Sequence, residues 1–206
     1  MKTLFITGIG TDVGKTVVSA IISEALNADY WKPIQAGELV HSDAHKVEAL
    51  ISNPHTKIFK NSYALKTPMS PHAAAEIDGI VIEAKKIIIP STTNNLVIEG
   101  VGGLLVPIND SETILDLIKS DYKVIVVSKH YLGSINHTLL TLQELKSRGV
   151  QIAGIIFNGN EVKTSERIIE KMTNVPLLGR INDEELITKA VIRKYANLLK
   201  PQLETL

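Results

Sequence analysis

The residues best suited to chemistry stand near the start of the chain, in the run "TGIGTDVGKT" from Thr7 to Thr16. Gly8, Gly10 and Gly14 let the backbone turn so that several N–H groups converge on one anion, and Lys15 and Thr16 follow immediately. A lysine so placed reaches the β- and γ-phosphates of a nucleotide, and the adjacent hydroxyl suits Mg²⁺. Five residues separate Gly8 from Gly14, one more than the usual spacing of a phosphate loop. The extra residue lengthens the loop and removes none of its parts, so a nucleoside triphosphate is the expected ligand.

Three further stretches carry candidate groups. "WKPIQAG" holds Lys32, "HSDAHK" holds Asp43, and "VIEGVGGLLVP" holds Glu99 followed by Gly100, Gly102 and Gly103. Singly, a loop lysine or aspartate is most often just solvated. A carboxylate closing the apolar run "NLVI" is different, because without a cation or donor it would be poorly solvated there. Glu99 could hold Mg²⁺ directly or through water, and the glycines after it allow backbone to approach phosphates.

These groups need a scaffold. "TLFIT" (3–7), "NLVIEG" (95–100), "KVIVVS" (123–128) and "IAGIIF" (152–157) read as buried parallel strands, with "YWKPI" (30–34) and "VPLLG" (175–179) as shorter ones. Residues 15–26, 134–147, 163–172 and 184–199 show helical apolar periodicity. Strands alternating with helices predict an α/β fold, a mostly parallel sheet with helices on both faces, in one domain over 1–206. The candidate groups then fall at the carboxyl ends of strands, where such sheets hold ligands. Residues 53–94, with Pro54, Pro68, Pro71 and Pro90, read as an excursion beside the sheet.

Composition narrows the function. Lys plus Arg and Asp plus Glu both number 22, so the net charge is zero, which argues against a general nucleic-acid or acidic-membrane binder. The absence of cysteine excludes disulfides, thiol catalysis and thiolate metal sites. The N-terminal apolar run is too short for a signal-peptide core and no window suits a membrane span, so a cytoplasmic protein is expected.

Taken together, "TGIGTDVGKT", "KPIQAG", Ser42-Asp43, "SPHAAA" (70–75), "EGVGG" (99–103) and "GSINHTLLT" (133–141) resemble the dethiobiotin synthetase family, from residue 3 to about residue 180. The long loop is a mark of that family. The resemblance implies a phosphate-loop architecture akin to the nitrogenase iron protein and an ATP- and Mg²⁺-dependent cyclo-ligase of biotin synthesis. Such an enzyme closes a cyclic urea on 7,8-diaminononanoate with CO₂ or bicarbonate, forming C–N bonds.

It also implies roles residue by residue. Asp12, Val13, Gly14, Lys15, Thr16 and Val17 would cradle ATP, with Asp43, Glu99, Gly100, Val101 and Gly102 completing the phosphate side. Thr16, Asp43 and Glu99 would ligate Mg²⁺, and Lys32 would act with Lys15 in catalysis by orienting CO₂ or the carbamate. Asn158 with Gly159 would read adenine, although an asparagine before glycine also starts turns. Arg180, Ile181 and Asn182 would line the base pocket. Ser134, Ile135 and Asn136 would receive the substrate carboxylate across a homodimer interface, although Ser134 could equally cap its helix.

Some positions depart from the family pattern. Ala36 stands where some members carry serine, which leaves Gln35 or a backbone group to hold the diamine. Asp12 could face a substrate amine or brace the loop. His72 could line the substrate pocket. The rival reading is a dimeric nucleotide switch of the partitioning type, which usually carries a second lysine five residues before the loop lysine; here that position is Gly10. A small-molecule kinase would bring an arginine-rich lid, and the four arginines, Arg148, Arg167, Arg180 and Arg193, are scattered.

Overall fold

The computed structural model describes residues 1–206. Unbroken runs of β-branched and other apolar residues form strands because both faces of a parallel sheet are covered. The strands are β1 (Thr3–Gly8), β2 (Asp29–Trp31), β3 (Ile34–Ala36), β4 (Ile58–Phe59), β5 (Tyr63–Leu65), β6 (Leu96–Gly103), β7 (Lys123–Lys129), β8 (Gln151–Asn158) and β9 (Leu177–Ile181). The helices are α1 (Lys15–Leu26), α2 (Asp43–Leu50), α3 (Pro71–Asp78), α4 (Ser134–Ser147), α5 (Lys163–Thr173) and α6 (Lys189–Thr205).

Seven strands form one parallel sheet in the order β4-β2-β6-β1-β7-β8-β9. From β1 the chain moves one way through α1 to β2, and from β7 the other way through α4 to β8. Right-handed crossovers in opposite directions place their helices on opposite faces. Accordingly α1 packs against α2 and α6, while α4 packs against α5. The expected doubly covered α/β sheet is therefore present. Its core lies along the central strands, where Leu4, Phe5, Ile6, Val97, Val124, Ile125, Val126 and Val127 are fully buried.

The structure departs from the expected elements in instructive places. "YWKPI" is not one strand. Pro33 has no N–H for a sheet ladder, so the chain leaves β2 after Trp31 and re-forms as β3, which pairs with β5 in a separate two-stranded parallel sheet. Lys32 stands at that break. The 53–94 excursion supplies β4, an edge strand of the main sheet, as well as β5 and α3. The last helix starts later than expected because the Thr188 hydroxyl caps it from Val191 N–H at 3.3 Å. It then runs past Pro201, because Leu203 continues the buried stripe of Ile192, Tyr195, Ala196 and Leu199. The strand expected at 175–179 lies at Leu177–Ile181, after Pro176.

Candidate active site

The carboxyl ends of β1, β2 and β6 meet around a cavity of about 810 Å³. Register explains which side chains meet there. Tyr30 is level with Val97 and Trp31 with Ile98, so the next step up brings Lys32 beside Glu99. On the other side Glu99 is level with Ile6, two residues below the start of the phosphate loop.

The loop leaves β1 at Gly8 and enters α1 through Gly14, whose φ of 97° is readily reached only by glycine. A Cβ at Gly14 would also lie 2.2 Å from Asn158 Nδ2. Lys15 Nζ donates to Gly10 O at 2.8 Å, so the lysine lies back along its own loop. Burial pulls its ammonium down to about 8; Glu99 opposes the drop and Lys32 adds to it.

Glu99 is fully buried, and its charge is stabilised by named donors. Thr16 Oγ1 donates to Oε1 at 2.9 Å, Lys32 Nζ to Oε1 at 3.0 Å, and Tyr30 OH to Oε2 at 2.8 Å. Lys32 also donates to Asp43, so one buried ammonium bridges both carboxylates. Burial works against that ammonium, but Glu99 and Asp43 more than offset it and raise its pKa above the ordinary lysine value. Burial pushes the Asp43 carboxyl up, and Lys32 outweighs this to hold it below the usual range. Asp43 is the first residue of α2 rather than part of the preceding loop. Ser42 caps the helix reciprocally with His45, so the aspartate sits where a helix N-terminus favours negative charge. Lys46, one turn on, donates to Asp43 Oδ1 at 3.3 Å and to Glu38 Oε2 at 2.7 Å.

Most of the expected residues line this cavity: Asp12, Gly14, Lys15, Thr16, Val17, Lys32, Gln35, Ala36, Asp43, Glu99, Val101 and Gly102. Val13 and Gly100 are buried immediately behind it. Gln35 is committed to the loop itself: its Nε2 donates to Gly37 O at 3.1 Å and its Oε1 accepts from Asp43 N–H at 3.3 Å. Its amide therefore braces β3 against α2, and Ala36 offers the cavity no polar side-chain atom.

Other expected residues lie elsewhere. Asn158 Nδ2 donates to Val13 O at 2.9 Å, tying the end of β8 to the back of the phosphate loop. Gly159 N–H donates to Ile181 O at 2.7 Å, and Asn182 N–H to Tyr195 OH at 3.1 Å. Arg180 pairs with Glu166 and sits over the Phe157 ring. Ser134, Ile135 and Asn136 line a second cavity of about 730 Å³ with Tyr131 and Leu132. There the helix cap is Gly133, at φ 102°, and Ser134 is the first helical residue.

Sequence reasoning missed Tyr30, Glu38 and Lys46. Period-2 alternation puts Tyr30 on the face of Lys32, and i,i+3 spacing puts Lys46 beside Asp43. Both signals were present in the sequence. Glu38, held at φ 50°, left no such periodic mark.

Known proteins resemble this chain in sequence and in fold. Residues 2–191 match the family model described as an AAA domain. The chain is 58% identical to the ATP-dependent dethiobiotin synthetase BioD of Christiangramia forsetii over 98% of both chains. It is 52% identical to that of Cytophaga hutchinsonii, over 95% of this chain and 96% of the other. The Chlamydia pneumoniae enzyme is 42% identical, over 97% and 90%. Among solved structures, a plasmid partition protein of Borrelia burgdorferi bound to AMPPNP matches with a TM-score of 0.62 at 15% identity, over 100% of this chain and 99% of that one. The Pyrococcus horikoshii septum-site protein MinD with Mg-ADP matches at 0.60 and 17%, over 99% and 95%. These distant likenesses speak for the fold alone.

Proposed function

The chain belongs to the ATP-dependent dethiobiotin synthetase family, and from that premise we propose how its residues close the cyclic urea of dethiobiotin. The protein is a cyclo-ligase of biotin synthesis that uses ATP. Its further substrates in this reading are 7,8-diaminononanoate and CO₂ or bicarbonate, and it works in the cytoplasm as a homodimer. No helix is long and apolar enough to cross a membrane, and the net charge of zero argues against a general nucleic-acid binder.

One substrate amine adds to CO₂ and loses a proton, giving a carbamate. A carbamate oxygen then attacks the γ-phosphorus of ATP; the P–O bond to ADP breaks and a carbamic–phosphoric anhydride forms. The second amine attacks the carbonyl carbon, phosphate leaves, and the ring closes. A weak nucleophile attacking phosphorus needs mainly positioning and charge neutralisation. Lys15 supplies positive charge at the phosphates, and the N–H groups from Asp12 to Val17 cradle them.

Lys32 is the group that orients the carbamate, and the observation that carries this reading is its place. It is a buried cation between Asp43 and Glu99, beside Thr16 at the mouth of the phosphate loop. The same place suits Mg²⁺. A Lys32 ammonium already bridges its two carboxylates, and Thr16 adds a hydroxyl. Mg²⁺ typically takes one or two carboxylates with substrate phosphates and water. Bound by Thr16, Asp43 and Glu99, it would supply charge neutralisation at the transferring phosphoryl group.

Asn158 and Gly159, with Arg180, Ile181 and Asn182, form the adenine side in this proposal. Ser134, Ile135 and Asn136 take the substrate carboxylate from the partner subunit. The test is phosphate release and cyclic-urea formation from ATP, Mg²⁺ and bicarbonate, with and without the diamine, in wild type and Lys32→Ala. Diamine-dependent release that collapses in the variant supports the reading. Diamine-independent hydrolysis untouched by the mutation refutes it.

A further inference from the structure

The geometry points to Tyr30 as the positioning residue that fixes the Glu99 carboxylate for its cation, a role that rests on the reading of Glu99 as a metal ligand given above. Tyr30 is fully buried, and its hydroxyl donates to Glu99 Oε2 at 2.8 Å. The other two donors, Thr16 and Lys32, both serve Oε1. The two carboxylate oxygens are therefore not equivalent: one faces the phosphate loop and the catalytic lysine, the other is tied to the sheet.

The two kinds of donor also differ in what the reaction asks of them. A cation held by Asp43 and Glu99 would compete with the Lys32 ammonium for the same oxygens, and the Thr16 hydroxyl would have to turn its oxygen toward that cation. Both donors to Oε1 would then be weakened. Tyr30 alone keeps its bond, and it is well held for that purpose. Its backbone is level with Val97 on one side and Ile58 on the other, and its N–H donates to Lys57 O at 2.9 Å. With Oε2 pinned, the carboxylate cannot rotate about its terminal bond, and Oε1 stays aimed at the cation. Partners that orient a metal ligand in this way commonly govern metal affinity about 10–100-fold.

A tyrosine that merely fills the core and satisfies its hydroxyl would affect folding and leave metal affinity alone. Mn²⁺ separates the two. Free Mn²⁺ is followed by electron paramagnetic resonance in a titration with the β,γ-imido analogue of ATP present, using wild type, Tyr30→Phe, Glu99→Gln and the double variant. Tyr30→Phe deletes one oxygen and keeps the ring, and thermal unfolding checks that the variant is folded. The expected result is an affinity weakened about tenfold or more in Tyr30→Phe, with the double variant no weaker than Glu99→Gln. Unchanged affinity in Tyr30→Phe, or losses that simply add, overturns the role of Tyr30. Unchanged affinity in Glu99→Gln instead overturns Glu99 as a ligand, a distinct outcome. Should Tyr30→Phe not fold, 3-fluorotyrosine placed at position 30 reads the same contact. Its more acidic hydroxyl alters the strength of the bond to Glu99, so the Mn²⁺ affinity in the same titration should shift from that of wild type, and an unchanged affinity overturns the proposal.

Discussion

Replacing Lys32 by methionine should damage the fold in a way that depends on pH and is repaired by removing a second charge. Lys32 is the cation shared by Glu99, which has no exposure, and Asp43, whose side chain is 18% exposed. Removing one partner of a buried pair typically costs about 3–5 kcal/mol, because the remaining charge is left without compensation. For a chain of this size that corresponds to a fall in Tm of roughly 6–20 °C. The sign of the pH dependence follows from the shifts. Asp43 titrates below its unfolded value and Lys32 above its own. The pair's contribution is therefore complete between those unfolded values. It is lost as pH falls through the folded Asp43 pKa or rises through that of Lys32. Without Lys32 the Asp43 carboxyl loses the partner that holds it below the usual range, so the gap to wild type should be widest near pH 7 and narrow toward pH 4. Lys32→Met/Glu99→Gln should be more stable than Lys32→Met alone, because the glutamine keeps the side-chain volume, its carbonyl can still accept from Tyr30 while its NH₂ donates to the Thr16 hydroxyl oxygen, and it removes the charge stranded at Glu99. Thermal unfolding of wild type, both single variants and the double variant at pH 7.5 and 4.5 checks this. A deficit under about 1 kcal/mol at pH 7.5, the scale of an exposed pair, would refute the reasoning. A double variant less stable than Lys32→Met would do the same.

Gly14→Ala should cost about 2–3 kcal/mol, from a positive φ and the loss of the Asn158–Val13 bond to a Cβ that lies 2.2 Å from Nδ2. Asn158→Ala should relieve the steric part, so that chemical denaturation of the four species shows non-additivity. Because burial lowers Lys15 to about 8, the unfolded chain binds more protons than the folded one between there and the unfolded value near 10.5. Stability should rise across that interval, and Lys15→Met should flatten the rise in pH-dependent unfolding. Leu132 is fully exposed at the rim of the second cavity; Leu132→Asp should shift a homodimer toward monomer in analytical ultracentrifugation, while an unchanged assembly would place the interface elsewhere.

The parts of this molecule that could be read from sequence share one physical property: they are written in a single stretch of chain. β1, β6, β7 and β8 are unbroken apolar runs, and their identity needs no knowledge of neighbours. The phosphate loop is similar, since its glycines, lysine and threonine act through the backbone they belong to. The bounds of α1 and α4 follow from their glycine caps at Gly14 and Gly133. What resisted reading depends on register between strands far apart in sequence. That Lys32 would neutralise Glu99 follows from β2 lying next to β6 with Trp31 level with Ile98, and nothing in either segment states that pairing. The same holds for Gln35, read as a possible substrate contact until the position of Asp43 showed where its amide oxygen goes. Tyr30 is the sharpest case. In sequence its spacing from Lys32 marks a shared face but does not say whether that face is core or site. Only when β6 is laid beside β2 does its hydroxyl fall on Glu99. The alternating ladder Glu38–Lys46–Asp43–Lys32–Glu99 is likewise a property of packing, with neighbouring charges compensating one another along the cavity wall. The sequence marks Glu99 as needing a cation or donor but does not say which of the other charges meets it. The fold makes them one electrostatic unit, so that changing any member alters how firmly its neighbours hold their charge.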